Sequence, residues 1–297
     1  MQQMKMVKYC NAACKKKHRK KHKKACEKRV AELHDIELFK QPPLEECDIC
    51  MLPLPMMMTG CKYMVCCGKR ICGGCSFTLS DMVSGRPSCS FCRTPMPMSN
   101  KEVLEMNEKR MAVNDPNAFH NLGIVTFHGM HGCTKDYEKA LKLFQRAGEL
   151  GHAESYRLIA DYHMTGREGL EKDMKKSNHY YELAAMGGSA RARHNLGAFE
   201  HANGNVDGAI RHYMIAISSG HTISLESIQN CFSAGIVTKD IFEKALRCRQ
   251  SYLNQIRSDQ RDKAAASSDE YIYYGKNDKL SDKYYASGDE LQTDIGA

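Results

Sequence analysis

At 297 residues the chain has room for two or three domains; 42% of it is hydrophobic, it holds fifteen cysteines and it has no tryptophan. No apolar run approaches the roughly 18 residues that a membrane helix needs, and Met1 to Lys8 lacks the apolar core of a signal peptide, so a soluble protein of the cytoplasm or nucleus is expected. The formal net charge is +8, yet residues 1–46 alone carry 13 Lys and Arg against 6 Asp and Glu, or +7, which leaves +1 for the rest. Basicity is local, and it argues against a nucleic-acid-binding surface over the whole molecule.

Residues 9–26 read Y-C-N-A-A-C-K-K-K-H-R-K-K-H-K-K-A-C, in which Cys10, Cys14, His22 and Cys26 follow C-x3-C-x7-H-x3-C. Positions four apart share one face of a helix, so these four form a candidate metal set. With Tyr9 before the first cysteine, the pattern resembles the second half of a MYND zinc finger. The ligands of the first half have no counterpart, and Arg19 stands where that family usually has tryptophan. The resemblance implies Cys10 and Cys14 on one zinc, and His22 and Cys26 on another. Either the sequence starts inside the domain, which is the preferred reading, or the four close on one ion with His18 in reserve. The lysine run from Lys15 to Lys24 reads as the solvated face of that helix, with an import signal or nucleic-acid patch as the alternative. Residues 1–29 form this partial finger. Val30, Leu33, Ile36 and Leu38 then predict a helical linker over 30–43, ended by Gln41-Pro42-Pro43.

Between Cys47 and Cys92 eight cysteines fall in four close pairs: Cys47 with Cys50, Cys66 with Cys67, Cys72 with Cys75, and Cys89 with Cys92. Thiols this dense in a chain without a secretory signal are metal ligands sooner than disulfides, and four pairs suffice for two tetrahedral zinc ions. Order and spacing over 44–97 resemble a RING finger in an all-cysteine variant. That resemblance implies a cross-brace, with pairs one and three on one ion and pairs two and four on the other. Where most of the family has C-G-H-x-x-C, this chain has Cys67-Gly68-Lys69-Arg70-Ile71-Cys72, so the vicinal Cys66 and Cys67 replace the histidine, with Cys61 in reserve. The resemblance further implies recruitment of a ubiquitin-conjugating enzyme carrying ubiquitin. Ile49 and Leu79 match its apolar contacts and Arg93 matches the arginine that bridges enzyme and ubiquitin, whereas Ser90 stands where active members carry proline. For Ile49 and Leu79 the competing assignment is core packing, and for Arg93 a solvated charge.

Pro95 and Pro97 mark a break, and Ser99 with Glu102 predicts a capping box opening a connecting helix over 98–116, which Asp115-Pro116 closes. Internal similarity follows. His120-Asn121-Leu122-Gly123 recurs as His194-Asn195-Leu196-Gly197, with Ile159-Ala160 aligned between the two Leu-Gly pairs. Ala147, Ala184 and Ala216 fall 37 and 32 residues apart. Such a period signals a helical solenoid. The small residues and glycines resemble the Sel-like repeats, relatives of the tetratricopeptide family, which implies antiparallel helix pairs over 117–258 and a surface for a protein partner. A terminal pair is expected over 222–258, broken at Gly235. His128, His131, His163, His179 and His212 read as solvated, and Cys133, Cys231 and Cys248 as small apolar residues. Residues 259–297 have too few aliphatic side chains for a core, and disorder is expected.

The expected whole is mainly α: a small zinc-stabilised cross-brace followed by an α-helical solenoid. The three-part order resembles multidomain proteins of diatoms and related algae. The leading expectation is a RING-type ubiquitin ligase whose solenoid holds the substrate, and the alternative is a non-catalytic, zinc-binding adaptor.

Overall fold

The protein is described by a computed structural model over residues 19–56, 60–80, 88–89, 91–166 and 171–267, with the backbone alone for residues 19–23, 25, 26 and 80. Helix α1 (Arg19–Leu38) leads into a small cysteine module made of β1 (Cys61–Met64), β2 (Lys69–Cys72) and α2 (Gly73–Ser80). The strands pair antiparallel, with Cys61 opposite Cys72 and Met64 opposite Lys69. Then come α3 (Asn100–Ala112) and four helix pairs: α4 (Pro116–His128) with α5 (Tyr137–Glu149), α6 (Ala153–Thr165) with α7 (Met174–Met186), α8 (Ala190–Ala202) with α9 (Val206–Ser218), and α10 (Thr222–Ser233) with α11 (Lys239–Ile256). A last helix, α12 (Asp259–Ser267), ends the described chain. None of the described helices is long and apolar enough to cross a membrane.

Local chemistry sets the helix starts. Ser99, Asp136, Asp173, Ser189 and Asn205 each accept a backbone N–H of the first turn they precede. At α3, Ser99 Oγ takes the N–H of Glu102, and the Glu102 carboxylate reaches back to Met98 N at 2.9 Å. Asp115 caps α4, with Pro116 at its first position.

The repeats stack because small residues of one helix meet large rings of its partner. Gly123, Ala160 and Gly197 occupy equivalent places on α4, α6 and α8, and the residues equivalent to one another on α5, α7 and α9 are Phe144, Tyr181 and Tyr213, all buried. A Cβ at Gly197 would meet Tyr213 Cε1 at 2.7 Å and Ala209 O at 3.2 Å. The alanines spaced 37 and 32 apart, Ala147, Ala184 and Ala216, are fully buried. The fourth pair breaks as expected around Gly235, which takes the left-handed conformation between Ser233 and Lys239.

Three expectations need correcting. Residues 30–43 do more than link: Leu38 sits in the solenoid core with Ala160, Tyr181, Ala184 and Leu196. Residues 259–267 are helical, because Arg261 and Ala264 lie one turn apart and both are buried against the rest of the molecule. His212 is buried beneath Phe39, with ring centroids 4.5 Å apart, instead of solvated. Of the others in that group His128 and His179 are exposed, and His131 and His163 half-buried. Cys231 lies in the core beside Ala209 and Tyr213.

A second set of histidines lies at junctions of the array, His221 buried and His120, His152 and His194 half-buried. His120 and His152 share Ser155 Oγ at 2.9 and 3.0 Å, and His194 and His221 share Ser224 Oγ at 3.1 and 2.9 Å, so the same device recurs at two junctions between repeats. Burial pulls His120 and His212 down to about 3 and His152 and His194 to about 4.

Two predictions follow from this packing. Gly197→Ala crowds Tyr213 and should cost about 1–3 kcal/mol of unfolding free energy despite alanine's better helix propensity; urea titration measures it, and an unchanged midpoint would refute the close approach. With these imidazoles pulled down to about 3 to 4 in the folded chain, whereas unfolded histidine protonates near pH 6.5, they favour unfolding progressively below about 6.5 and contribute nothing above it. Melting temperature should therefore drop between pH 7.5 and 5, and less steeply in His212→Gln; equal slopes would contradict the assignment.

Candidate metal centre

Two knuckles of the same design open and close the cysteine module. After Cys47-Asp48-Ile49-Cys50, Met51 adopts a left-handed backbone and donates its N–H to Cys47 O at 3.0 Å, while Cys47 N–H donates to Leu52 O at 2.9 Å. After Cys92, Arg93 does the same: its N–H reaches Cys89 O at 2.8 Å, and Cys89 N–H reaches Thr94 O at 2.8 Å. Each turn points two sulfurs the same way. The hairpin supplies the rest. At its tip Cys67 and Gly68 donate to Met64 O at 3.1 and 2.7 Å, and at its end β2 runs into α2 to present Cys72 and Cys75.

The sulfurs gather into two groups, Cys47 with Cys50, Cys72 and Cys75, and Cys66 with Cys67, Cys89 and Cys92, each with all its sulfurs within 4.8 Å of one another. The first pair thus meets the third and the second meets the fourth. A tetrahedral ion with metal–sulfur bonds of about 2.3 Å holds its sulfurs about 3.8 Å apart. Cys50 and Cys72 Sγ are 3.8 Å apart, and Cys67 and Cys89 Sγ 3.6 Å. These separations are far too long for disulfides, and all twelve cysteines whose side chains are described are free. Each group could therefore hold one metal ion.

The electrostatics agree with a cation. Burial and neighbouring sulfurs push the Cys66 and Cys75 thiols up, the repulsion that a central positive charge removes. Burial also raises Cys47, but the N–H groups of Cys50, Cys72 and Ile49 outweigh it and bring the thiol down to about 7. Thr94 draws Cys92 down to about 6 through side-chain and backbone hydrogen bonds, its Oγ1 lying 3.1 Å from the sulfur. Cys61 behaves otherwise. Its sulfur joins neither group, accepts from Arg70 Nη2 at 3.4 Å, and is raised to about 11 by burial, so it stays a protonated thiol.

The two groups differ in surroundings. The first is nearly enclosed, with Cys47, Cys72 and Cys75 buried and the fully buried Arg261 of α12 placing Nη2 3.8 Å from Cys50 Sγ. The same guanidinium donates to Pro53 O at 2.9 Å and Ile256 O at 2.6 Å, which ties α12 to the first knuckle. Tyr252 Oη of α11 adds a bond from Met56 N at 3.0 Å. On the opposite flank Tyr63 donates to Asp115 Oδ2 at 2.9 Å, and Arg110 donates to the same oxygen at 2.9 Å through Nε and 2.6 Å through Nη2. Gly68 lies against this cluster in a left-handed conformation, where a Cβ would fall 2.5 Å from Asp115 Oδ2. The module is fastened to both ends of the helical array.

Of the three residues matched to conjugating-enzyme contacts, Ile49 is 40% exposed at the tip of the first knuckle and Arg93 is exposed after the second. Leu79 is half-buried and packs against the cysteine core. Ser90, Cys10 and Cys14 lie outside the described residues, while His22 and Cys26 fall on α1, where only the backbone is described. Arg261 and Asp115 were not apparent as parts of this site from sequence, since nothing in a lone arginine within a polar stretch signals burial.

The geometry predicts two metal ions per described module. Measured by plasma mass spectrometry, Cys92→Ser should lower the content by about one ion per chain, whereas Cys61→Ser should leave it unchanged. Loss of metal in Cys61→Ser would show the grouping to be wrong.

Among known proteins, the Sel1 repeat family matches residues 116–152 and 153–189. Chitin synthase regulatory factor 4 of Schizosaccharomyces pombe is 24% identical over 133 residues, which is 45% of this chain and 21% of that protein's length. A Sel1 repeat protein from Oxalobacter formigenes is similar in structure at 22% identity and a TM-score of 0.44, over 64% of this chain and 78% of that one. The protective antigen c5321 of uropathogenic Escherichia coli is similar at 26% identity and a TM-score of 0.42, over 63% and 42%. The chain carries two Sel1 repeats, one per helix pair, α4 with α5 and α6 with α7.

Proposed function

We propose that the protein is a zinc-binding scaffold that holds another protein on its Sel1-type solenoid, with the cysteine module fixed at the edge of that array as a second contact surface. The observation that carries this reading is the double fastening of the module, through Tyr63 to Asp115 at one end and through Arg261 and Tyr252 at the other. Both surfaces are then presented at a fixed spacing. Zinc is the proposed metal at both quartets, because four thiolates suit it and a closed four-sulfur site leaves no position for water or substrate. Its role is then structural. Cys10, Cys14, His22 and Cys26 are proposed as ligands of a further zinc, and the cytoplasm or nucleus, where thiols stay reduced, as the compartment. The fission yeast relative's name describes a regulator of an enzyme, and a scaffold acts in the same way, by what it holds.

A second reading is a RING-type ubiquitin ligase. It is favoured by the pairing of cysteine pairs one with three and two with four, the arrangement of a cross-brace, and by the exposure of Ile49 and Arg93. It is opposed by Leu79, which is half-buried against the core, by Ser90 in place of proline, and by α12, which packs on α2 with the Arg261 backbone against Gly74. Incubation of the purified protein with ubiquitin-activating enzyme, ubiquitin and a broad panel of conjugating enzymes separates the two. The scaffold reading expects no ubiquitin chains. Chain formation that Ile49→Ala or Arg93→Ala abolishes would establish the ligase in its place.

A further inference from the structure

The solenoid is already engaged with a short peptide, and that peptide is its own. The carboxy-terminal end of α1 and the residues after it, from His34 to Pro42, run along α7 and α9. Among the described side chains of α1, Leu33 is 37% exposed and Ile36 62%. Contact concentrates in a few anchors. Leu38 enters the core between Tyr181, Ala184, Ala185, Ala192 and Leu196. Phe39 lies on His212, and the Arg211 guanidinium sits 3.4 Å from the centre of its ring. Arg211 also pairs with Asp35 at 3.2 Å. Arg193 donates to the main-chain carbonyls of Leu38 and of Lys40, the latter at 3.1 Å.

These contacts read a sequence. An acidic group, two unread positions, a leucine and an aromatic ring are each met by a different device, and two backbone carbonyls are held independently of side chain. The segment is the last turn of α1 and the residues that follow it, so Arg193 takes carbonyls that a helix end leaves without partners, and the side-chain contacts supply selectivity. The groove also has polar capacity that this segment does not use. Arg193 and His212 are each 1% exposed, and Arg193 Nε and His212 Nδ1 have no hydrogen-bond partner among the described residues.

We propose that the groove between α7 and α9 is a peptide-docking site, occupied in the resting chain by its own Asp35–Pro42 segment and open to a partner protein carrying the same acidic-x-x-leucine-aromatic pattern. The proposal names one contact face within the scaffold reading. Its test needs no natural partner, so failure here leaves the other faces of the solenoid available to that reading.

A fluorescein-labelled peptide of residues 31–43 is titrated against the full-length protein and followed by anisotropy. Against the variant Leu38→Ser/Phe39→Ser, whose groove is vacated, binding should be saturable and about tenfold or more tighter than against the wild type, whose own segment leaves the site open only part of the time. Adding Arg211→Ala to the vacated variant should abolish binding, and a peptide of scrambled order should not bind. In the unaltered chain, saturating peptide should speed hydrogen exchange at amides 36–41 as the resident segment is displaced. A vacated variant that loses its helical circular dichroism would show the segment to be solenoid core and overturn the proposal. So would a folded vacated variant that ignores the peptide, or wild-type exchange that the peptide does not alter.

Discussion

Everything in the small module depends on sulfurs being brought closer together than they would stay by themselves. Eight of the nine thiols within forty-six residues, two of them adjacent in sequence, resolve into two groups whose 3.6 and 3.8 Å separations match four ligands around one ion. Apolar residues in this segment are few: Leu54, Met64 and Ile71 are its buried aliphatic side chains among the described residues. A core of that size does not offset the chain entropy of ordering four loops and a two-stranded hairpin. The sulfur groups therefore carry the load that a hydrophobic core carries elsewhere, and the metal they could hold is the natural source of that stability.

Asp115 shows how the module and the array become one object. Its carboxylate is nearly buried, and it caps α4, pairs with Arg110 of α3 and accepts the Tyr63 hydroxyl of the hairpin. Burial alone would raise its pKa, but Arg110, Tyr63 and Asn117 hold it below the usual carboxylate range. One side chain thus serves the first repeat, the connecting helix and the cysteine module. Arg261 does the corresponding work at the far end, where its donors fall on Pro53 O and Ile256 O. Between these clamps the junctions of the repeats are polar as well as apolar: the histidine–serine clusters flank a middle junction where Arg157 pairs with Glu154 and Asp161, and Ser189 donates to Glu154.

How much of this was legible in the sequence follows the range of the interactions. The helix pairs were readable because Gly123, Ala160 and Gly197 recur at a fixed interval, and a repeat can bury its apolar face only by stacking. The cysteine pairs were readable because the knuckle is local, although the sequence could not exclude Cys61; only its place opposite Cys72 on the hairpin, turned toward Arg70, does that. What was not legible was long-range. Helix α12 looks like a polar tail because it contributes two buried residues, Arg261 and Ala264, and its partners lie some two hundred positions away. His212 reads as polar and solvated until Phe39, from before the module, is seen to cover it. Leu79 fits a docking contact in the linear pattern, and only packing shows it half-buried against the cysteine core.

Both sulfur groups offer the same four-thiol donor set for one metal ion each. X-ray absorption at the metal edge of the purified full-length protein tests it most directly. The account predicts zinc with a single shell of about four sulfurs at about 2.3 Å and no nitrogen or oxygen contribution from this module, so that any light-atom ligand traces to His22 and vanishes in His22→Ala. A shell that keeps nitrogen or oxygen in His22→Ala, or a module that stays folded with no metal bound, would contradict it.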